Sequence, residues 1–203
     1  MNSILHNTAY ANYELIVVDN CSTDGTTDYL RALERDDARV KLILNKENKG
    51  FAGGNKVGIN ASTGEYVLLL NNDTVVTRGW ITAMAKHLEN NSKLVMCGPV
   101  TNSIGNEAKI KVNYHSVKEM YSFAYRYTTD HLNSEYENPN VLALFCTMIK
   151  RNVIDSCGLL DEMYEVGMFE DDDYAEAVKQ KGYELAIAED AFIHHFEGAS
   201  FNK

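Results

Sequence analysis

Several places in this chain carry side chains able to do chemistry together. The unbroken apolar run Tyr66 to Leu70 stops abruptly in Asn71, Asn72 and Asp73. That run is too short for a helix of ordinary length and reads as a buried parallel strand that delivers a carboxylate to its C-terminal end. Ligands of open α/β sheets sit beyond that edge, although taken alone the three residues read as a polar loop after a strand. Asp19 and Asn20 close a second run, Leu15 to Val18, in the same way. Gly53, Gly54 and Asn55 stand at a helix entrance, where glycine admits a ligand close to the backbone and the helix N-terminus favours phosphate. Such loops are more often plain turns, and this one matches neither a P-loop nor a Rossmann fingerprint. Glu170, Asp171, Asp172 and Asp173 open a helix, where the macrodipole favours acids. A run of this length exceeds what capping needs, and its members point in different directions, so one or two can face a cleft. His194 and His195, adjacent in an otherwise apolar segment, point to a metal or phosphate contact.

The elements that must position these residues alternate through the first half. A strand ending at Asp19 precedes a helix with Tyr29, Leu30 and Leu33 on one face, and Val40 to Leu44 forms the next strand. The loop 45–55 feeds a helix running to Ser62. After the strand that ends at Asn71 come a helix over Gly79 to Glu89 and a strand over Leu94 to Cys97, closed by Gly98 and Pro99. This alternation predicts a parallel, doubly wound sheet. From Thr101 to Asn140 it stops and tyrosines appear at 114, 121, 125, 127 and 136. They either wall a site by stacking on a sugar or pack the excursion onto the core, and the second is expected. Val141 to Ile149 reads as a buried strand, Arg151 to Cys157 as a short helix stopped by Gly158, and Tyr183 to Ala188 as the last strand.

A chain of 203 residues with 45% hydrophobic and 24% charged residues suits one folded domain. The net charge of −10 argues against a nucleic-acid groove, but an acidic protein still binds an anion when a divalent cation bridges the two. No apolar run approaches the roughly 20 residues that span a bilayer, and no signal peptide opens the sequence. Cys21, Cys97, Cys146 and Cys157 lack zinc-type spacing and read as reduced thiols of a cytoplasmic protein, Cys97 and Cys146 in the core.

In this order the motifs resemble the inverting family 2 glycosyltransferases of the GT-A fold. Leu15 to Gly25 resembles the family's nucleotide-contacting strand and loop, Asn48 to Asn55 its glycine-bearing loop, and Gly64 to Thr74 the strand ending in the Asp-x-Asp motif. Gly167 to Tyr174 resembles the Glu-Asp motif, and His194 to Phe196 with Ser200 and Phe201 the closing segment. Asn71 replaces the first metal-motif Asp, as in members that resemble bacterial rhamnosyltransferases, and Asn20 replaces the second Asp of the usual pair. Both tilt the donor toward a deoxysugar. Family members also begin with a strand in the middle of the sheet, between those ending at Asp19 and Asn71. The resemblance therefore implies an N-terminally truncated, mostly parallel GT-A sheet, in which the flanking strands re-pair or a neighbouring chain fills the gap as a homodimer.

What the resemblance implies for function follows residue by residue. A UDP- or dTDP-sugar would lie across the strand ends, contacted by Asp19, Asn20, Gly53, Gly54, Asn55, Asn71 and Asn72 in a nucleotide-sugar lobe over 1–98. Asp73 and His195 would hold Mn2+ or Mg2+. Asp171 would be the general base and Glu170 its acceptor-binding or orienting neighbour in an acceptor lobe over 99–203, with Asp172 and Asp173 capping the helix or meeting solvent. The acceptor would be a glycan or lipid-linked glycan, met in the cytoplasm or at the inner face of the membrane. Two other readings stay open: an inactive nucleotide- or metal-binding remnant of such an enzyme, and a sugar nucleotidyltransferase.

Overall fold

The computed structural model describes residues 1–161 and 169–196. The part of the Glu-Asp motif before Phe169, and Ser200 with Phe201, lie outside the described residues. A short helix α1 (Asn2–Asn7) precedes the first alternating unit: β1 (Leu15–Asp19), α2 (Thr26–Asp36), β2 (Val40–Leu44) and α3 (Gly50–Ala61). Then follow β3 (Tyr66–Leu70), β4 (Thr74–Val76), α4 (Trp80–Asn90) and β5 (Leu94–Thr101). The excursion contributes α5 (Val117–Asp130) and β6 (Glu135–Glu137), and the chain closes through β7 (Cys146–Lys150), α6 (Arg151–Cys157), α7 (Glu170–Gln180) and β8 (Glu184–His195).

The strands form two sheets. β1 pairs with β2, parallel as the alternation predicts. The larger sheet runs β3-β7-β5-β8-β4, with β6 also on β8. Within it only β5 and β8 are parallel, and the other pairs are antiparallel. The expected α/β layering is present, but the larger sheet is mixed rather than mostly parallel. The physical reason is connectivity: a helical crossover returns a strand parallel to its neighbour, whereas β7 arrives through the 101–145 excursion and enters between β3 and β5 the other way round.

β5 also runs on through Gly98 and Pro99, which were expected to end it. Pro99 cannot donate to a ladder, and the register of β5 against β8 shifts between Pro99 and Val100. β8 is longer than its apolar run suggested and serves two partners in turn, β6 at Ala186 to Ala188 and β4 at Ile193 to His195.

Apolar clusters cover both faces of the large sheet. β3 shows why an unbroken apolar strand was needed: Val67 and Leu69 join the cluster under α3, α5 and α7, while Tyr66, Leu68 and Leu70 join that under α1 and α4. Tyr114, Tyr121 and Tyr127 pack onto the first cluster, as expected for the excursion, and Tyr125 and Tyr136 are exposed. Cys97 and Cys146 are buried and unbridged.

Between the two sheets lies a slot. Glu14 Oε1 accepts hydrogen bonds from the Thr63 amide (2.6 Å) and hydroxyl (2.8 Å), tying the start of β1 to the chain just before β3. Both strands run from there toward Asn20 and Asn71, yet among the described residues β1 pairs with β2 alone and β3 with β7 alone. The Leu15 amide bonds Arg39 O and the Asn45 amide bonds Asp19 O, so alternate residues Leu15, Val17 and Asp19 face β2. Ile16 and Val18 turn their backbone groups the other way. On β3 the Arg151 amide bonds Glu65 O and the Asn71 amide bonds Phe145 O, which leaves Tyr66, Leu68 and Leu70 facing the slot. The slot is part of a cavity of about 1510 Å3. The expected re-pairing of these strands is not found.

Candidate active site

The polar end of this cavity is lined by Asn20, Gly54 and Asn55 from the β1 and α3 side and by Asn71, Asn72, Asp73 and His195 from the large sheet. β3 stops because the Asn71 amide is taken by Phe145 O (2.7 Å) and Asn71 O accepts from the Thr74 hydroxyl (2.7 Å), turning the chain into β4. The antiparallel pairing of β4 with the end of β8 then sets Thr74 opposite His195, and Asp73 O accepts from the Phe196 amide at 2.9 Å. A carboxylate and an imidazole far apart in sequence meet through that short ladder.

The His195 ring is buried and stacks on Phe145, with centroids 4.8 Å apart at 20°. Its Nδ1 lies 3.0 Å from the Ser103 carbonyl, which can only accept, so Nδ1 carries hydrogen, and in the neutral ring Nε2 presents a lone pair. Nε2 stands 3.3 Å from Asp73 Oδ1. That is an ion-pair distance without hydrogen-bond geometry, and Oδ1 is a buried oxygen with no hydrogen bond among the described residues. Two electron-pair donors facing each other are the pair that a cation joins, and ligands about 2.1 Å from one ion stand about 3 Å apart. Asp73 and His195 could thus give a divalent cation two ligands, with the Ser103 carbonyl orienting the imidazole from behind, and among the described residues no group of three or more His, Cys, Asp or Glu side chains gathers to hold a metal. Asn102 fixes the backbone of His195, its side chain bonding the His195 amide (2.8 Å) and carbonyl (3.0 Å).

Asp19 is buried at the end of β1, with Oδ1 on the Ser22 amide (3.1 Å) and Oδ2 on the Thr27 hydroxyl (2.7 Å). Burial works to raise its pKa, but those hydrogen bonds outweigh it and leave the carboxyl below its usual value. Asn20 spends its amide on the loop 45–50. α3 begins at Gly50, so Gly53 and Gly54 lie inside the helix rather than in a loop before it. Gly54 faces the Asn20 side chain, and Asn55 bonds back to Phe51 O at 3.0 Å.

Glu170 is buried, only 3% exposed, at the start of α7, and Asp172 and Asp173 are exposed. Asp171 Oδ2 accepts from the Leu144 amide at 3.1 Å. Burial, helped by the charges of Glu170 and Asp172, pushes its carboxyl up to about 6 against the pull of that amide. Glu170 and Asp171 do not line the cavity that holds Asp73, but the segment Leu144–Phe145 joins the two places. Leu144 holds Asp171, while Phe145 stacks on His195 and carries the Asn71 amide. Sequence reading missed Asn102, Ser103, Leu144 and Phe145, which contribute backbone groups, a ring face and an amide clamp with no local signature.

Comparison with known proteins matches residues 1–158 to the description "Glycosyl transferase family 2". The chain belongs to that family. An uncharacterised glycosyltransferase of Haemophilus influenzae is 33% identical over 98 residues, 48% of this chain and 30% of the relative. The UDP-Glc:alpha-D-GlcNAc-diphosphoundecaprenol beta-1,3-glucosyltransferase WfgD of Escherichia coli is 32% identical over 113 residues, 56% of this chain and 41% of the relative. The chain thus spans well under half the length of these curated relatives. Among solved structures, the mannosyltransferase PcManGT of Pyrobaculum calidifontis in complex with GDP-Man and Mn2+ superposes with a TM-score of 0.69 at 17% identity. The match covers 96% of this chain and 52% of that one and shows that the GT-A-type α/β fold is shared. Among the described residues no helix is long and apolar enough to cross a membrane.

Proposed function

We propose that the chain is the catalytic domain of a glycosyltransferase that moves a sugar from a nucleoside-diphosphate sugar to an acceptor hydroxyl with inversion. The observation that carries this reading is the buried Asp73 Oδ1, without a hydrogen bond among the described residues, beside His195 Nε2 in the cavity that Asn71 and Gly54 also line. Mn2+ or Mg2+ held by Asp73 and His195 would neutralise the diphosphate as it leaves. Asn20, Asn48, Gly50, Gly54 and Asn55, which line the cavity, would border the base and ribose end, and Asn71 and Asn72 the diphosphate end, within the 1–98 half, with Asp19 holding Ser22 and Thr27 behind them. Asp171 takes the proton of the acceptor hydroxyl while that oxygen bonds to the anomeric carbon, and the carbon–oxygen bond to the diphosphate breaks with its electron pair. Attack from the face opposite the leaving group inverts the centre. Glu170, next to Asp171 and buried, binds the acceptor or orients the base.

The acceptor class is a glycan or lipid-linked glycan, in keeping with the diphosphoundecaprenol substrate in the name of the E. coli relative. UDP- and dTDP-sugars are the donors to test, with a deoxysugar favoured by Asn20 and Asn71. Incubating the protein with each donor, with and without Mn2+, should release nucleoside diphosphate only with the metal. Formation of a sugar nucleotide from a nucleoside triphosphate would overturn the reading. The open slot beside the donor wall favours a second reading, a nucleotide- and metal-binding form with weak turnover. Metal-dependent binding without hydrolysis would select it.

A further inference from the structure

We propose that Asn20 is a positioning residue for the nucleotide: its side-chain amide clamps the loop 45–50 as a wall of the base pocket and makes no base contact of its own. The proposal rests on the donor-binding reading above.

The amide has hydrogen-bonding capacity for two donors on oxygen and two acceptors on nitrogen, and the loop uses all of it. Oδ1 accepts from the Lys49 amide (3.0 Å) and from Asn45 Nδ2 (3.0 Å). Nδ2 donates to Asn48 Oδ1 (2.8 Å) and to Gly50 O (3.0 Å). The orientation is settled by the backbone, because the Lys49 N–H can only donate and the Gly50 carbonyl can only accept.

The loop wraps this one group. Asn48 Oδ1 also takes the Gly50 amide at 2.9 Å, closing a ring of bonds where α3 begins. Gly50 adopts a positive φ of 68° there. On the other side Cys21 holds a positive φ of 73°, uncommon for a residue with a side chain, and its Sγ reaches Lys46 O at 3.6 Å. A Cβ on Gly54 would stand 3.4 Å from Asn20 Nδ2, so the second turn of α3 rests against the same amide.

The chemistry explains why this position needs Asn and not Asp. A carboxylate could keep the Lys49 and Asn45 bonds, but its second oxygen would face Asn48 Oδ1 and the Gly50 carbonyl, acceptor against acceptor. The loop would then part from β1, and the first turns of α3, with Gly54 and Asn55, would lose the amide they rest against. Asn20 thereby acts on nucleotide affinity and base selectivity through the loop, without touching the reacting atoms.

The test combines amide hydrogen exchange with nucleotide titration for the wild type, Asn20→Ala and Asn20→Asp. In both variants exchange of the loop amides at 45–50 should accelerate. In the presence of Mn2+, UDP affinity should fall about tenfold, the equivalent of one to two hydrogen bonds. The preference between UDP and GDP should shrink, and Mn2+ affinity without nucleotide should stay unchanged. Loss of affinity with the loop amides still protected would mean that Asn20 contacts the base itself, and would overturn the proposal. A loosened loop with unchanged affinity and selectivity would overturn it as well. If the wild type binds no nucleoside diphosphate with Mn2+, the donor-binding reading falls, and loop exchange alone then tells whether the clamp exists.

Discussion

Asp171 combines a fixed position with an altered acidity. One oxygen is held by the Leu144 amide, and burial pushes the carboxyl up to about 6. A base must be ionised to accept a proton, so turnover should rise with pH through about 6 and level off above it. Stability runs the opposite way. The folded state holds the proton more tightly than the unfolded chain, so the contribution of the protonated form is present below the ordinary carboxyl range and is lost as pH climbs toward 6. Asp171→Asn can keep the Leu144 bond through its amide oxygen, and it should lower turnover at least about 100-fold while leaving the melting temperature at pH 7.5 unchanged or higher. Initial rates and thermal melts check both, and surviving turnover would reject Asp171 as the base. Asp73, Asp171 and His195 were legible in the sequence because each ends or begins an element, where a polar side chain after an apolar run stands out. Asn102 and Leu144 were not, since a clamp on a distant backbone and a plain amide leave no pattern.

At the scale of elements, His87 on α4 joins parts of the fold that sequence did not connect. Its Nε2 lies 2.8 Å from Asp190 Oδ1 on β8, and its Nδ1 lies 2.7 Å from Glu135 Oε2 on β6. Asp190 Oδ2 also accepts the Asn133 amide at 2.9 Å, so the end of the excursion is pinned to the sheet. The hydrogen bond that the ring donates to Asp190 outweighs burial, and with the charges of Asp190 and Glu135 it holds the imidazole above its usual pKa. A raised histidine pKa gives stability that is fully present below about 6.5 and is lost as pH rises through the folded value. His87→Ala strips two carboxylates of their counter-charge and should cost about 3 kcal/mol at pH 6, with a smaller loss at pH 8. Denaturant titrations at the two pH values measure this, and an equal loss at both would show that packing and not charge is at work. Most helices and strands were readable from periodicity, whereas α5, inside the tyrosine-bearing excursion, and the antiparallel entry of β7 were not. Pairing direction depends on where a strand returns in space, and the 101–145 excursion has no period that fixes it.

For the whole molecule the decisive feature is the slot between β1 and β3. Backbone groups without partners exchange with solvent readily, so the amides of Ile16, Val18, Tyr66, Leu68 and Leu70 should exchange faster than those of Leu15, Val17, Val67 and Leu69, which face β2 or β7. Equal protection along both strands would show that the slot is closed in solution. The β1–α2–β2 layer, separated from β3 by the slot, should also open at lower free energy than β5, β7 and β8. That unit carries the Asn20 end of the donor wall and the large sheet carries Asp73 and His195, so nucleotide and metal together would bridge the two. Titration of Mn2+ and UDP into the wild type and Asp73→Asn decides whether Asp73 and His195 hold a divalent cation for a nucleoside diphosphate. UDP should bind the wild type only when Mn2+ is present, and Asp73→Asn should weaken that metal-dependent binding by at least about tenfold, the loss of one charged ligand. UDP binding that is equally tight without Mn2+, or unaltered in Asp73→Asn, would contradict the account.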